Sequence, residues 1–366
     1  LLPAYRLDVD GEDTLKYNDI MFKEAGDRLL GGHAVAIFPE GINQTKRWLG
    51  DFSLAYLRMA FETAESSDFE QDIVILPVAH HYADYFAMQE DMLLRCGTPI
   101  SLKPYYELYK TKPRTAQRQV NKLVRKQLED MMLNITDLEN YEAIDYLRET
   151  YGVRFSERLH LNPDDLAQKL EADKQFVARL NQLREAQPEK MKDIYARTLH
   201  LKGKFKDLKL SEDVLLRRSS NFQLMLQGLA LAILLPLFLY SLIPNILVYY
   251  AVEPFVNMFR RKGGKFELFA SGVRFALMTL YAMPLFYVGT LLLEGFCFSW
   301  IYAVVHFLLM PWLGVFAVHY VKNFKLWRKI IKFNFLKASR SGKLQEAMNE
   351  HYDLFADLYR LIENQK

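Results

Sequence analysis

Residues 222–321 are almost entirely apolar, and this stretch constrains the fold more than any other feature of the chain. Apart from a charged connection at 260–267, its only Asp, Glu, Lys or Arg side chains are Glu253, Arg274 and Glu294. Each apolar half is far longer than the ~20 residues that one helix needs to cross a bilayer. The helical core of a soluble domain would show polar faces. The sequence therefore predicts membrane-embedded helices.

Two interruptions divide the apolar residues into about four spans or two hairpins, at Pro244-Asn245 and at Glu294-Gly295. Basic side chains lie before, between and after the two halves: Arg217, Arg218, Arg260, Arg261, Lys262, Lys265, Lys322, Lys325, Arg328, Lys329 and Lys332. If each half enters the bilayer and returns, all three basic groups lie on one side, which the positive-inside rule makes cytoplasmic. We therefore expect a multi-pass membrane protein whose N-terminal part faces the cytoplasm.

The N-terminal part has the pattern of an α/β domain. The apolar run "HAVAIF" at 33–38 reads as a buried strand, 52–64 as an amphipathic helix, and "DIVILPVAHHY" at 72–82 as a second buried strand interrupted by Pro77. Strand, helix and strand in this order favour parallel pairing. The prediction for residues 1–135 is a parallel or mixed sheet flanked by helices.

The remaining segments are predicted to be helical. Residues 136–221 read as a charged helical region, 222–321 as the membrane domain, and 322–366 as a basic segment with an amphipathic C-terminal helix. The net charge of +3 is too small to indicate nucleic acid as a partner. Cys96 and Cys297 are far apart and offer neither a disulfide framework nor metal-ligand spacing, so no metal is expected.

The turn Pro39-Glu40-Gly41 follows the first predicted strand. A strand of a parallel sheet that ends here places the carboxylate of Glu40 at the edge where α/β folds bind ligands. Gly41 permits a positive φ angle. Lys46 and Arg47 follow closely, and their cations suit an anionic group such as a phosphate. By itself the turn is an ordinary strand-to-loop connection.

Three short motifs in order give the turn a second interpretation. "LPAYR" at 2–6, "FPEG" at 38–41 and "ILPVA" at 75–79 resemble successive motifs of the glycerolipid acyltransferases, which acylate glycerol 3-phosphate or 1-acylglycerol 3-phosphate. The resemblance covers about residues 1–135.

This resemblance implies that Arg6, Glu40 and Gly41 line the site for the acceptor phosphate. Phe38 and Pro39 belong to the same motif as the turn, and Pro77 lies in a supporting strand. The family continues with Thr-Arg-Ser after the glycine, whereas this chain has Ile42, Asn43 and Gln44. Phosphate contact by Lys46 or Arg47 is therefore a hypothesis.

The catalytic base implied by the resemblance is the histidine of a His-x4-Asp motif, which in the family precedes the arginine motif. No such motif precedes Arg6. We expect it upstream of Leu1, so the domain is interpreted as incomplete at its N-terminus and no catalytic residue is assigned within the chain. The one His-x4-Asp present, His160 to Asp165 in "HLNPDD", reads as the start of a helix.

The expected activity is transfer of a fatty acyl chain from acyl-CoA or acyl-ACP to a glycerol 3-phosphate or lysophosphatidate hydroxyl, with membrane lipid as a partner and without a cofactor. The alternative is a non-catalytic membrane scaffold or transporter with an acyltransferase-like cytoplasmic domain. Arg274 and Glu294 are interpreted as structural. His306 is expected to form a hydrogen bond to a neighbouring helix.

Overall fold

A computed structural model of the chain describes residues 17–41, 46–84, 91–211, 213–216, 220–262 and 272–363. Helices account for 75% of it and strands for 4%. The chain divides into two compact units, residues 1–141 with 153–178 and residues 142–152 with 179–366.

The described helices, in chain order, are α1 (Tyr17–Leu30), α2 (Ala55–Ser66), α3 (Tyr106–Thr111), α4 (Pro113–Met131), α5 (Tyr141–Thr150), α6 (Gly152–Arg158), α7 (Leu166–Ala186), α8 (Pro188–Asp207), α9 (Asp213–Leu216), α10 (Asn221–Ala251), α11 (Glu253–Lys262), α12 (Met283–Cys297), α13 (Trp300–Ala338) and α14 (Gly342–Glu363). The described strands are β1 (Val74–Ile75), β2 (Val78–Tyr82), β3 (Met92–Cys96) and β4 (Ile100–Ser101). They form two antiparallel pairs, β1 with β4 and β2 with β3.

The predicted α/β fold is wrong. Within the described residues there is no parallel or mixed sheet, and the predicted strand at 33–38 has no regular secondary structure. Ile37 and Phe38 are 42% and 78% exposed, so this run is not buried either. The second predicted strand divides at Pro77 into β1 and β2, which belong to different sheets.

The physical reason lies in pairing, which is not a local property. The prediction of parallel strands required two strands joined through a helix, and the first of them is not formed. Proline has no N–H to donate to a ladder, and Pro77 separates the two short strands. The carbonyl of Pro77 accepts the N–H of Gly97 at 2.8 Å beside the β2–β3 pair. Instead of pairing with residues 33–38, β1 pairs antiparallel with β4, and β2 pairs antiparallel with β3.

Helices supply the core of the first unit. The buried face of α2 has Leu57, Phe61 and Ala64 at helical spacing, each 0% exposed. The ring of Phe61 stacks on that of Tyr109 in α3, with centroids 4.4 Å apart and planes 4° apart. Val120 on α4 packs in the same cluster.

In the second unit, α8 and α14 pack together through apolar and charged side chains. Lys204 of α8 donates to Glu346 at 2.6 Å and to Glu350 at 2.5 Å, and Arg197 donates to Asp357 at 2.8 Å. The predicted amphipathic C-terminal helix is therefore present as α14, with its buried side chains on one face.

Three described helices are long and apolar enough to cross a membrane, by length and composition: Asn221–Met258, Gly272–Cys297 and Trp300–Ala338. The first is continuous through the predicted break at Pro244, because α10 runs from Asn221 to Ala251 with Pro236 and Pro244 inside it. A π-helical turn at Met278–Ala282 precedes α12. Between 11% and 22% of the most apolar window of each span is buried inside the protein, as expected for helices surrounded by lipid.

Candidate functional site

The turn at residues 38–41 is tightly hydrogen-bonded. Gly41 adopts a φ angle of +66°, a conformation that side chains disfavour, and its N–H donates to the carbonyl of Phe38 at 3.2 Å. The carbonyl of Pro39 accepts the N–H of Ser53 at 2.9 Å. These bonds stabilise the turn itself and connect it to Ser53.

The carboxylate of Glu40 binds the backbone ten residues further along the chain, at Gly50. Its Oε2 accepts the N–H of Gly50 at 2.9 Å. We call residues 46–50 the anchored loop. A carboxylate that accepts a backbone N–H is a strong, charge-assisted acceptor, so Glu40 holds the end of this loop against the turn.

Arg47 is the central anchor of the loop. The residue is 5% exposed, and its guanidinium donates to the carbonyls of Tyr82 and Ala83, each at 3.2 Å. One guanidinium nitrogen also lies 3.4 Å from Nδ1 of His81. The buried guanidinium therefore binds the end of β2, where backbone carbonyls satisfy its fixed fork of donors.

The backbone of the loop is bound by side chains that lie far away in sequence. Asn134 accepts the N–H of Leu49 at 3.0 Å, and Arg125 donates to the carbonyls of Gly50 at 2.8 Å and Leu49 at 3.1 Å. The N–H of Arg47 donates to the hydroxyl of Tyr141 at 2.7 Å. The loop is thus held in one conformation from several directions.

Lys46 is the exposed cation of the anchored loop. Its Nζ lies 5.1 Å from the centroid of the Tyr141 ring, a favourable cation–π arrangement. Of the three cations proposed from the sequence for phosphate contact, Arg47 is buried and Arg6 lies outside the described residues. Lys46 is therefore the accessible cation that the structure places at this loop.

The sequence did not reveal Arg125, Asn134 and Tyr141 as parts of the site. Each bonds to the loop across 75 to 94 residues of chain. No short motif connects residues at such separations. Burial of the Arg47 side chain had no local signal either, because a Lys-Arg pair after a turn usually lies in solvent.

The pair His160 and Asp165 marks a helix start, as the sequence interpretation expected. The carboxylate of Asp165 accepts the N–H groups of Gln168 at 3.1 Å and Ala167 at 2.8 Å at the beginning of α7. These hydrogen bonds, with that from Gln168 contributing most, lower the pKa of the Asp165 carboxyl. Asp165 is bound to backbone and does not orient an imidazole.

Within the spans, Arg274 donates to Glu253 at 2.6 Å and lies over the ring of Tyr249 at 5.1 Å. The expected bond of His306 to a neighbouring helix is confirmed, and its partner is Glu294. The Arg274–Glu253 ion pair neutralises two charges that would be costly in lipid.

Comparison with known proteins gives no relative for this chain: no family model matches it, and no curated protein or solved structure matches it.

Proposed function

We propose that the chain belongs to a membrane-bound acyltransferase that transfers a fatty acyl chain from an acyl thioester to a hydroxyl of a glycerol phosphate. The acceptor phosphate binds at Lys46, on the anchored loop beside the Pro39-Glu40-Gly41 turn. The observation that carries this proposal is a hydrogen-bonded loop that presents one accessible cation next to a turn whose sequence resembles that of the acyltransferases.

The hydrogen bonds of the loop support a binding role. A loop fixed before the ligand arrives loses little conformational freedom on binding, which favours affinity. Glu40 and Arg47 serve this purpose as positioning residues, since their charged groups bind backbone at Gly50 and at the end of β2. Lys46 carries the charge that the ligand meets.

An amphiphilic acceptor also suits the neighbouring surface. Ile37 and Phe38, immediately before the turn, are 42% and 78% exposed. In this proposal they contact the acyl chain of the acceptor. An acyl chain on this surface and a phosphate at Lys46 would use both features.

The chemistry requires a base that accepts the proton of the acceptor hydroxyl while its oxygen attacks the thioester carbonyl. The C–S bond then breaks, and the departing sulfur takes the proton from the base and leaves as a thiol. The resemblance to the glycerolipid acyltransferases would give this role to the histidine of a His-x4-Asp motif. Donor and product both partition into lipid, so the three apolar spans suit the substrates. The side that carries Lys322, Lys325 and Arg328 is proposed to be cytoplasmic.

Acyl transfer tests this function. The protein translated from the complete gene is reconstituted into phosphatidylcholine nanodiscs with radiolabelled acyl-CoA or acyl-ACP and with glycerol 3-phosphate or lysophosphatidate. We expect a radiolabelled ester product. Lys46→Gln should raise the KM for the acceptor about tenfold with little change in kcat, because one charged hydrogen bond is lost.

Lys122→Gln is the matched control, since Lys122 is an exposed lysine of α4 outside the loop. Its KM should equal that of the wild type. If no ester forms with any of these donors and acceptors, the protein is not this enzyme, and a scaffold or transporter becomes the better account. Ester formation with an unchanged KM in Lys46→Gln would retain the enzyme but remove Lys46 from the phosphate site.

A further inference from the structure

A buried contact between a histidine and a carboxylate lies inside the candidate spans, where α12 meets α13. Nδ1 of His306 is 2.8 Å from both carboxylate oxygens of Glu294. The His306 side chain is 5% exposed and that of Glu294 13% exposed. The imidazole and the carboxylate therefore interact away from water, where an ionised group is costly unless it is paired.

The second ring nitrogen of His306 is left without a partner. Nε2 is buried, and no hydrogen-bond partner for it exists among the residues that the structure describes. A buried polar atom without a partner normally has a functional or structural reason. Nε2 has almost no accessible surface, so a proton is the ligand small enough to bind it.

Two tyrosine rings flank the imidazole. Tyr240 of α10 has its centroid 5.0 Å from that of His306, with planes 32° apart, and Tyr302 of α13 lies at 5.8 Å and 31°. The two hydroxyls lie 3.0 Å apart. Aromatic faces at such distances attract a cation, so this cage favours an imidazolium over a neutral ring.

Charge balance leads to the same conclusion. With a neutral imidazole and an ionised carboxylate, the pair has one uncompensated negative charge in a low-dielectric region. One added proton makes the pair neutral overall. We propose that Glu294 and His306 form an intramembrane proton-binding site, in which a proton bound by the pair holds α12 against α13.

The site is close to the turn between α12 and α13. Glu294 lies three residues before the end of α12 at Cys297, and His306 lies six residues after the start of α13 at Trp300. At about 1.5 Å per residue, these positions are about 5 and 9 Å from the turn. Lys322, at the basic end, is about 24 Å from His306 along the helix.

The turn side is therefore the shorter route for proton exchange. A proton passes from hydronium on that side to the Nε2 lone pair, leaving water, and release reverses the step. The groups that face the imidazole are Glu294 from α12, Tyr240 from α10 and Tyr302 from α13. This proposal is independent of the acyltransferase proposal.

The experiment is ¹⁵N NMR of the full chain in nanodiscs, with the histidine ring nitrogens labelled, at about pH 7.5. The His306 signals are those that disappear in His306→Gln. We expect protons on both ring nitrogens of His306 in the wild type. In Glu294→Gln, which keeps a side-chain oxygen as acceptor but removes the charge, the imidazolium fraction should fall at least about tenfold.

Glu185→Gln is the matched control, since Glu185 is an exposed glutamate of α7 outside the site, and it should keep the imidazolium signal. A neutral His306 ring in the wild type would overturn the proposal, whether or not Glu294→Gln folds. An equal imidazolium fraction in wild type and Glu294→Gln would also overturn it, because the carboxylate would then have no part in proton binding.

Discussion

Replacement of Arg47 by methionine should open the anchored loop. Methionine keeps much of the apolar stem but removes the guanidinium, so the carbonyls of Tyr82 and Ala83 lose two donors at 3.2 Å. A hydrogen bond to a charged group contributes about 1.5–3 kcal/mol. The two together contribute about 3–6 kcal/mol to the free energy that keeps the loop closed on β2.

Hydrogen exchange in nanodiscs measures this loss directly, because local opening sets the rate at which protected amides exchange. At 1.4 kcal/mol for each factor of ten, protection in residues 46–50 and in the β2–β3 pair should fall by about 10²–10⁴-fold. Lys122→Met is the matched control, since Lys122 is an exposed lysine of α4 outside the loop, and its protection should equal that of the wild type. If protection in Arg47→Met stays within about threefold of the wild type, Arg47 does not anchor the loop.

Three further substitutions test contacts inside each of the two units. Phe61→Ala removes a 0% exposed ring that stacks on Tyr109, so the free energy of unfolding should fall by about 3–5 kcal/mol. Hydrogen exchange should show lower protection of α2 and α4. Protection equal to that of the wild type would contradict this core. Gly295→Ala would place a Cβ 2.6 Å from the ring of Trp300, the first residue of α13. The overpacking should destabilise the protein by about 1–3 kcal/mol and lower its Tm. An unchanged Tm would contradict the close contact. The hydrogen bond from Lys204 lowers the pKa of Glu346. The pair therefore stabilises α14 fully at pH values above the ordinary pKa of a glutamate, and this stabilisation is lost as the pH falls through the lowered pKa. Lys204→Met should remove that pH dependence from the exchange protection of α14. If the variant keeps the pH profile of the wild type, the Lys204–Glu346 pair does not stabilise α14.

The sequence predicted the elements that depend on local pattern. The helix expected at 52–64 is α2, and the apolar residues after 222 contain three candidate spans. In both cases the information lies in residues a few positions apart, because helix hydrogen bonds and apolar faces are local.

The sheet and the anchored loop depend on partners far away in sequence. An apolar run such as 33–38 satisfies the pattern of a strand, yet a strand forms only where another segment offers its backbone groups. The binding of Leu49 and Gly50 by Arg125 has the same character. No local pattern distinguishes an arginine that binds distant carbonyls from one that lies in solvent.

Binding of the acceptor phosphate at Lys46 is the central claim, and a titration tests it most directly. Glycerol 3-phosphate is added to the full chain in phosphatidylcholine nanodiscs, and its ³¹P signal is followed for wild type, Lys46→Gln and Lys122→Gln. The account predicts saturable binding to the wild type and to Lys122→Gln, and a Kd raised about tenfold in Lys46→Gln. Equal affinities in all three proteins, or no saturable binding to the wild type, would contradict it.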